Sequence, residues 1–402
     1  MFQMDRLMET PSTVAATIAD LRRRFPCEQE IDRILTRKML HRDGPGYNAV
    51  SLDTLIAGLH ALLKRESISD YSIAGARWLT GGSSKLQMAF DLTWKPDGGK
   101  GVTSSMVVRM EPSEAIVETS RVREIQLIRA VHGVVPLPLA YWVDADGSFF
   151  PYPAIVYGFI QGVAKPSKAV AGVAGIGTHF PREIRETLAQ QFIEHMAAIH
   201  LHDWSMRDLS AFDKPALGTA AVELQINWWE RVWEEDFRED EPIIRLAAAW
   251  LRQNMPPADR ISIIHGDFRP GNFLYTEHDN RISGWLDWEL GHLGDRHKDI
   301  AWSMAGYYGH PDEVTGEFLI GGLIPETRYF EMYEAASGLS VDPEKVHYYR
   351  VLNMFELAVI SNATSYRVSN SGKTHQDILV AWITGLNGII LNEVASLIEA
   401  KI

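Results

Sequence analysis

The sequence predicts an α+β protein in two lobes, a small antiparallel β lobe near the N-terminus and a larger helical lobe after it. Three observations carry this expectation. Apolar residues recur at helical spacing over about the first 65 positions, the period switches to two between Lys85 and Met110, and helical patterns return beyond Gly162 around one β-rich island at 261–287.

Residues 1–65 are expected to form a helical extension. VAATIADLRRRF and LDTLIAGLHALL place apolar side chains three and four apart, and Ser51 before Leu52 offers an N-cap. Residues 66–160 are expected to form the small lobe. KLQMAFDLTW (Lys85 to Trp94) alternates polar and apolar, KPDGGKG is turn chemistry, and TSSMVVRM resumes the alternation, so 85–110 reads as an antiparallel hairpin. RVREIQLIRAV (Arg121 to Val131) has helical spacing, and two strand-like runs, LPLAYWVDADG and AIVYGFI, lead to a hinge at 157–162. Residues 161–402 are expected to form the large lobe, entered through a Gly/Ala-rich linker, VAKPSKAVAGVAGIGTHFPR, and dominated by long helical patterns.

Composition narrows the function. A formal charge of -13 over 402 residues argues against a sequence-independent grip on nucleic acid, yet leaves room for a small anionic ligand. One cysteine, Cys27, excludes an intrachain disulfide. The first thirty residues lack the charge order of a signal peptide, and Ile378 to Ile398 is broken by Thr384, Asn387, Asn392 and Glu393, so it reads as a buried helix. A cytoplasmic protein without nucleic-acid or membrane partners is expected, and oligomeric state is not readable.

The chemistry concentrates in the island. HGDFRPGN (His265 to Asn272) leaves the apolar run ISII, and LDWE closes a second strand-like run at Asp287. Between them TEHDN is turn chemistry, and a hairpin centred on Asp279-Asn280 would pair position 272 with 287. Asp267, Asn272 and Asp287 would then converge at one end as a hard-oxygen site of the kind that suits Mg²⁺.

His265-Gly266-Asp267, four residues, Asn272, and then Asp287 in LDWELGHLGDRHKDIAW resemble the aminoglycoside phosphotransferase family, small-molecule kinases with a protein-kinase-like fold. The likeness extends to the branch of kinase-like domains associated with acyl-CoA dehydrogenases and covers roughly residues 65–400. It implies Asp267 as the catalytic residue that accepts or orients the substrate hydroxyl proton, and Asn272 and Asp287 as Mg²⁺ ligands. It also implies His265 as a brace for the loop, and Asp295 and Asp299 as an architectural pair. In the small lobe, Gly81, Gly82, Ser83 and Ser84 match a phosphate-covering loop. Arg109 falls where protein kinases carry a Lys, Glu124 matches its helical partner, and Tyr157 to Ile160, Phe159 included, match the hinge beside adenine. Arg keeps the charge but changes the geometry of a phosphate contact.

The expected activity is therefore transfer of the γ-phosphoryl group of ATP, with GTP left open, to a hydroxyl of a small molecule with Mg²⁺ as cofactor. The acceptor is open among aminoglycosides, sugars, amino alcohols and hydroxyacyl compounds. Two rivals are a nucleotide-binding pseudokinase, disfavoured because every metal and base position is filled, and a two-metal phosphohydrolase, disfavoured because extra His and Asp ligands are missing.

Other features have plainer explanations. Trp228, Trp229 and Trp233 have helical spacing and are expected in the core. His292, His297 and His310 with Asp295 give no standard zinc spacing and are expected to be surface or core histidines. NSGKTHQ (Asn370 to Gln376) imitates the end of a phosphate loop but has Arg367 where the first glycine belongs. Gly172, Gly175 and Gly177 have the wrong spacing for a dinucleotide fingerprint. The acidic runs Glu234 to Asp236 and Glu239 to Glu241 are expected to be solvated.

Overall fold

A computed structural model describes residues 11–42, 48–79, 85–96, 99–112, 114–167, 177–372 and 377–401. Helices α1 (Pro11–Arg24), α2 (Gln29–Leu40) and α3 (Leu52–Arg65) come first. The oxygen of Ser51 caps α3 by accepting from the Thr54 amide at 3.1 Å. These helices divide between two cores. Ile31, Ile34 and Leu35 of α2 join the large helical core, whereas Leu55, Leu59, Leu62 and Leu63 of α3 cover the β-sheet.

That sheet is built from β1 (Tyr71–Trp78), β2 (Leu86–Trp94), β3 (Val102–Met110), β4 (Ala140–Asp144) and β5 (Ala154–Gly158), in the order β1-β2-β3-β5-β4, with α4 (Arg121–Ala130) between β3 and β4. The expected hairpin runs in unbroken register from Leu86 opposite Met110 to Trp94 opposite Val102. Its two-residue period decides what each face meets. Met106, Val108, Met110, Ala154 and Val156 pack against α3, while Val107, Ile155 and Tyr157 join the core of the helical lobe and carry Arg109 on the same face.

The large lobe begins with α5 (Arg182–Leu201), α6 (Ala220–Asp236) and α7 (Pro242–Gln253). Trp228, Trp229 and Trp233 of α6 are all buried, as their spacing predicts. The acidic run at the end of α6 departs from expectation. Glu235 and Asp236 are buried, with Lys38, Arg42, Arg231 and Arg367 as ion partners, so this charge joins α2 to α6 and does not form a solvated face. Short spacing in sequence concealed partners more than a hundred residues away.

Strands β6 (Ser262–Ile264), β7 (Phe273–Thr276), β8 (Arg281–Trp285) and β9 (His292–Gly294) form two small antiparallel pairs, β6 with β9 and β7 with β8. Helix α8 (His297–Ser303) follows, then a three-stranded sheet of β10 (His310–Pro311), β11 (Phe318–Ile320) and β12 (Ile324–Pro325), which extends β structure beyond the expected island. Helices α9 (Glu326–Ser337), α10 (Pro343–Val359), α11 (Ser365–Ser371), α12 (Asp377–Gly385) and α13 (Asn387–Glu399) complete the lobe. Arg367 lies within α11, and Lys373 to Gln376, like Gly172 and Gly175, lie outside the described residues. Among the described residues no helix is long and apolar enough to cross a membrane.

The segment joining the lobes crosses the β7–β8 hairpin. Val163 and Tyr275 exchange backbone hydrogen bonds at 2.9 and 3.1 Å. Gly162, at φ 147°, lies so close to this hairpin that a Cβ would sit 2.7 Å from Ser283 Oγ, so the crossing needs glycine.

Candidate active site

The loop after β6 is held from behind by a buried carboxylate. Asp299 of α8 accepts from the His265 amide at 2.8 Å and the Gly266 amide at 2.9 Å, and its Oδ2 also lies 3.3 Å from His200 Nε2. Burial alone would raise this carboxyl, but the His200 contact and these amides together hold it below the ordinary range. Gly266 has φ 82°, and a Cβ there would meet the Leu290 carbonyl oxygen at 2.5 Å, so His265-Gly266-Asp267 needs its glycine. His265 is fully buried, and burial lowers its pKa. Its Nε2 donates to the Leu286 carbonyl at 3.0 Å and its Nδ1 accepts from the Asp267 amide at 3.3 Å, which fixes the tautomer and ties the loop to the end of β8.

Three side chains hold the Asp267 carboxylate. Its Oδ1 accepts from Arg269 Nε at 2.8 Å and Trp302 Nε1 at 2.6 Å, and its Oδ2 accepts from Asn272 Nδ2 at 2.6 Å. The Asn272 Nδ2 donates to the Asp267 carbonyl as well, at 2.9 Å, which leaves its amide oxygen without a hydrogen-bond partner among the described residues. Arg269 in turn lies 5.0 Å from the Tyr308 ring centroid.

The hairpin register differs from the sequence expectation. Phe273 faces Trp285 and Leu274 faces Gly284, but a bulge at Ser283 shifts the next pairs to Tyr275 with Ile282 and Thr276 with Arg281. Position 272 therefore meets 286, whose amide donates to the Asn272 carbonyl at 2.8 Å, and Asp287 is the next residue out. Asp287 turns there at φ 66°, an unusual conformation for a residue with a side chain, one that Asp tolerates better than most. One of its oxygens pairs with Arg109 and the other has no hydrogen-bond partner among the described residues. Burial, opposed by Arg109 and reinforced by Glu289 and Asp267, raises the Asp287 carboxyl above its ordinary range.

Arg109 bridges Asp287 and Glu124, so the structure brings together three residues singled out in separate segments. They belong to a larger buried network. Lys85 pairs with Glu111 at 2.9 Å and Glu289 at 3.0 Å. Arg121 pairs with Glu111 and Glu289, each at 2.9 Å, and also with Glu124. Burial would raise the Glu289 carboxyl, but Lys85, Arg109 and Arg121 hold it well below the usual carboxylate range. Sequence reasoning missed Lys85, Glu111, Arg121, Glu289, Arg269 and Trp302. Weak signals existed for three: Lys85 follows the Gly-Gly-Ser-Ser run, Arg121 precedes Glu124 by one helical turn, and Glu289 sits in LDWE.

The remaining expectations divide. Tyr157 is buried on the Arg109 face of the sheet, while Phe159, past the end of β5, is 36% exposed. Gly81, Gly82, Ser83 and Ser84 lie outside the described residues. His292, His297 and Asp295 are buried and serve architecture, the Asp295 carboxylate accepting from the His297 amide at 3.0 Å. His310 instead stacks on the His179 ring.

Comparison with known proteins agrees with this geometry. Residues 92–339 match the family model described as APH, phosphotransferase enzyme family. Mouse acyl-CoA dehydrogenase family member 10 is 23% identical over 301 residues, 69% of this chain, and the chain covers 27% of that protein, so it spans only about a quarter of this relative's length. An aminoglycoside 3'-phosphotransferase from Streptomyces fradiae is 28% identical over 229 residues, 53% of this chain and 76% of that one. Among solved structures, a Ralstonia eutropha protein assigned as an aminoglycoside phosphotransferase superposes with a TM-score of 0.60 at 21% identity, covering 85% of this chain and 98% of that one. Choline kinase from Cryptosporidium parvum gives 0.51 at 13% identity, covering 87% and 97%. These likenesses show a two-lobed, kinase-like α+β fold. Since the family match takes in more than half of the sequence, the chain belongs to the phosphotransferase enzyme family.

Proposed function

We propose that this protein transfers the γ-phosphoryl group of ATP, or of GTP, to a hydroxyl of a small molecule. The observation that carries the reading is the fixed Asp267 carboxylate beside two oxygens, one on Asn272 and one on Asp287, that have no hydrogen-bond partner among the described residues. An amide oxygen and a carboxylate oxygen are the donor set that suits Mg²⁺ with some waters retained, so these two residues fit the expected ion. When bound, Mg²⁺ would offset the negative charge of the phosphates.

The other roles fall to this chain's residues. Asp267 holds the acceptor hydroxyl, and Arg269, Trp302 and Asn272 hold Asp267. An aspartate carboxylate is a weak base at neutral pH, so orientation of the hydroxyl is its main contribution. Arg109 supplies positive charge beside Asp287, kept in place by Glu124, and Gly81 to Ser84 are proposed to cover the phosphates. Tyr157 and Phe159 are proposed to lie beside the nucleotide base. The acceptor is a small hydroxylated compound: an aminoglycoside, a sugar, an amino alcohol or a hydroxyacyl compound.

The test is an ATP-consumption screen over hydroxylated small molecules, with and without Mg²⁺, using the purified chain and Asp267→Ala. Mg²⁺-dependent phosphorylation of an acceptor by the wild type supports the reading. Phosphate-ester hydrolysis without nucleotide, or full turnover by the variant, overturns it.

A further inference from the structure

His310 is half-buried at the start of β10, and its ring is committed on one side only. Nδ1 lies 2.9 Å from the Pro311 carbonyl, which can only accept, so Nδ1 carries the proton. Nε2 is therefore a lone pair, and it is buried with no hydrogen-bond partner among the described residues. A neutral imidazole whose Nδ1–H is fixed by a backbone carbonyl is how proteins prepare a histidine to ligate a metal.

Its neighbours complete a donor set. The His179 ring stacks on it with centroids 4.1 Å apart, and His179 Nε2 lies 2.5 Å from Glu313 Oε1. One ligand atom from each of His179, His310 and Glu313 falls within 4.8 Å of the others. In a tetrahedral shell with bonds of about 2.1 Å, ligand atoms stand about 3.4 Å apart, so the trio must contract by roughly 1.4 Å at its widest, within the reach of side-chain rotation. Gly322 keeps the space open: a Cβ there would stand 3.1 Å from His310 Nε2.

We infer that His179, His310 and Glu313 form a second metal site, for a borderline divalent ion of the Zn²⁺ class, distinct from the proposed Mg²⁺ position. Two imidazoles and one carboxylate favour such an ion over Mg²⁺, and three protein ligands leave a coordination position for water. The supporting shell is already built. Asp312 Oδ1 accepts from the Val314 and Thr315 amides at 3.0 and 2.9 Å, which sets the turn that presents Glu313. Arg185 forks onto Glu313, its Nη1 donating to Oε2 and to Asp312, each at 2.9 Å, and its Nη2 donating to Oε1 and lying 3.5 Å from His179 Nε2, so an ion bound at Oε1 would displace Nη2 while Nη1 keeps its two carboxylates. The ion would clip the segment entering α5 to the β10–β11 turn, positions 134 residues apart in sequence. Through Gly321, whose missing Cβ would stand 2.9 Å from Pro270, that small sheet touches the loop bearing Asp267.

The test is equilibrium binding of Zn²⁺ and Co²⁺ to the full-length chain in excess Mg²⁺, read by metal analysis after dialysis and by the visible absorption of Co²⁺. The expected result is one tightly held ion per chain with a four-coordinate Co²⁺ spectrum, retained in Asp287→Asn. His310→Gln and His179→Gln should each weaken binding by about 100-fold or more, since even the loss of supporting contacts costs 10–100-fold. Glu313→Gln, at an exposed position, gives the same reading without risk to the fold. Failure of the wild type to retain an ion, wild-type affinity in all three variants, or loss of the ion in Asp287→Asn alone would each overturn the inference. None of these outcomes depends on phosphotransfer.

Discussion

The loop around Asp267 and the charge network around Arg109 face each other across the proposed nucleotide site, and they are built on opposite principles. The loop comes from one continuous stretch, His265 to Asp287, and is held chiefly by directed hydrogen bonds: the His265 ring donates to the Leu286 carbonyl, an ionised Asp299 accepts from the loop amides, and the Trp302 indole donates to Asp267. The network draws Lys85, Arg109, Glu111, Arg121, Glu124 and Glu289 from four separate segments, and is held by charge balance with most members buried. The difference teaches where each should be sensitive. A hydrogen-bonded frame fixes orientation, so local changes should reach catalysis first. A buried charge cluster tolerates no single deletion, because the ions left behind stay desolvated without compensation, so changes there should reach stability and nucleotide affinity together.

The largest expected effect tests the loop. Asp267→Ala should lower kcat by about 10²–10⁴, or 3–5 kcal/mol of barrier, with its unfolding midpoint nearly unchanged. A variant that loses stability instead of activity would erase the contrast. Next is the network: Glu289→Gln removes the carboxylate facing three cations and should cost roughly 3–5 kcal/mol of stability in denaturant unfolding, with a raised KM for ATP. A neutral outcome would mean that the cluster is solvated in solution.

A pH measurement sharpens the same comparison. His292 of β9 pairs with Ile264 just behind the loop, and burial, reinforced by Lys298, lowers its pKa to about 3. Its contribution is fully present above the unfolded value near 6.5 and is lost as pH falls, because only the unfolded chain takes the proton. Against His292→Gln, the wild type should lose roughly 2 kcal/mol more between pH 7 and pH 5, and parallel stability curves would refute this. The smallest effect is expected for Trp302→Phe, which removes one donor to Asp267 and should lower kcat by about five- to tenfold, on the order of 1 kcal/mol. Unchanged kcat would show that Arg269 and Asn272 suffice.

Legibility followed the range of the interactions. The 85–110 hairpin was readable because its two-residue alternation is set by the sheet it joins, and the observed register is unbroken from Leu86 to Trp94. The convergence of Asp267, Asn272 and Asp287 was readable because twenty-one positions and a turn constrain where they can go. The detail was not: the Ser283 bulge and the left-handed turn at Asp287 depend on how the strand leaves its partner. The buried acidic end of α6 was misjudged because Lys38 and Arg367 approach it only in three dimensions.

On its own, the order of residues determined the alternation of helix and strand, the small-then-large arrangement of lobes and the short run that holds the candidate site, since these follow from periods and spacings within a few turns of chain. Which of many charges are buried, which carboxylate an arginine meets, and which histidine finds His310 were decided only by tertiary structure. Desolvation and Coulomb energies depend on distance in space, and residues far apart in sequence become neighbours only when the chain closes on itself.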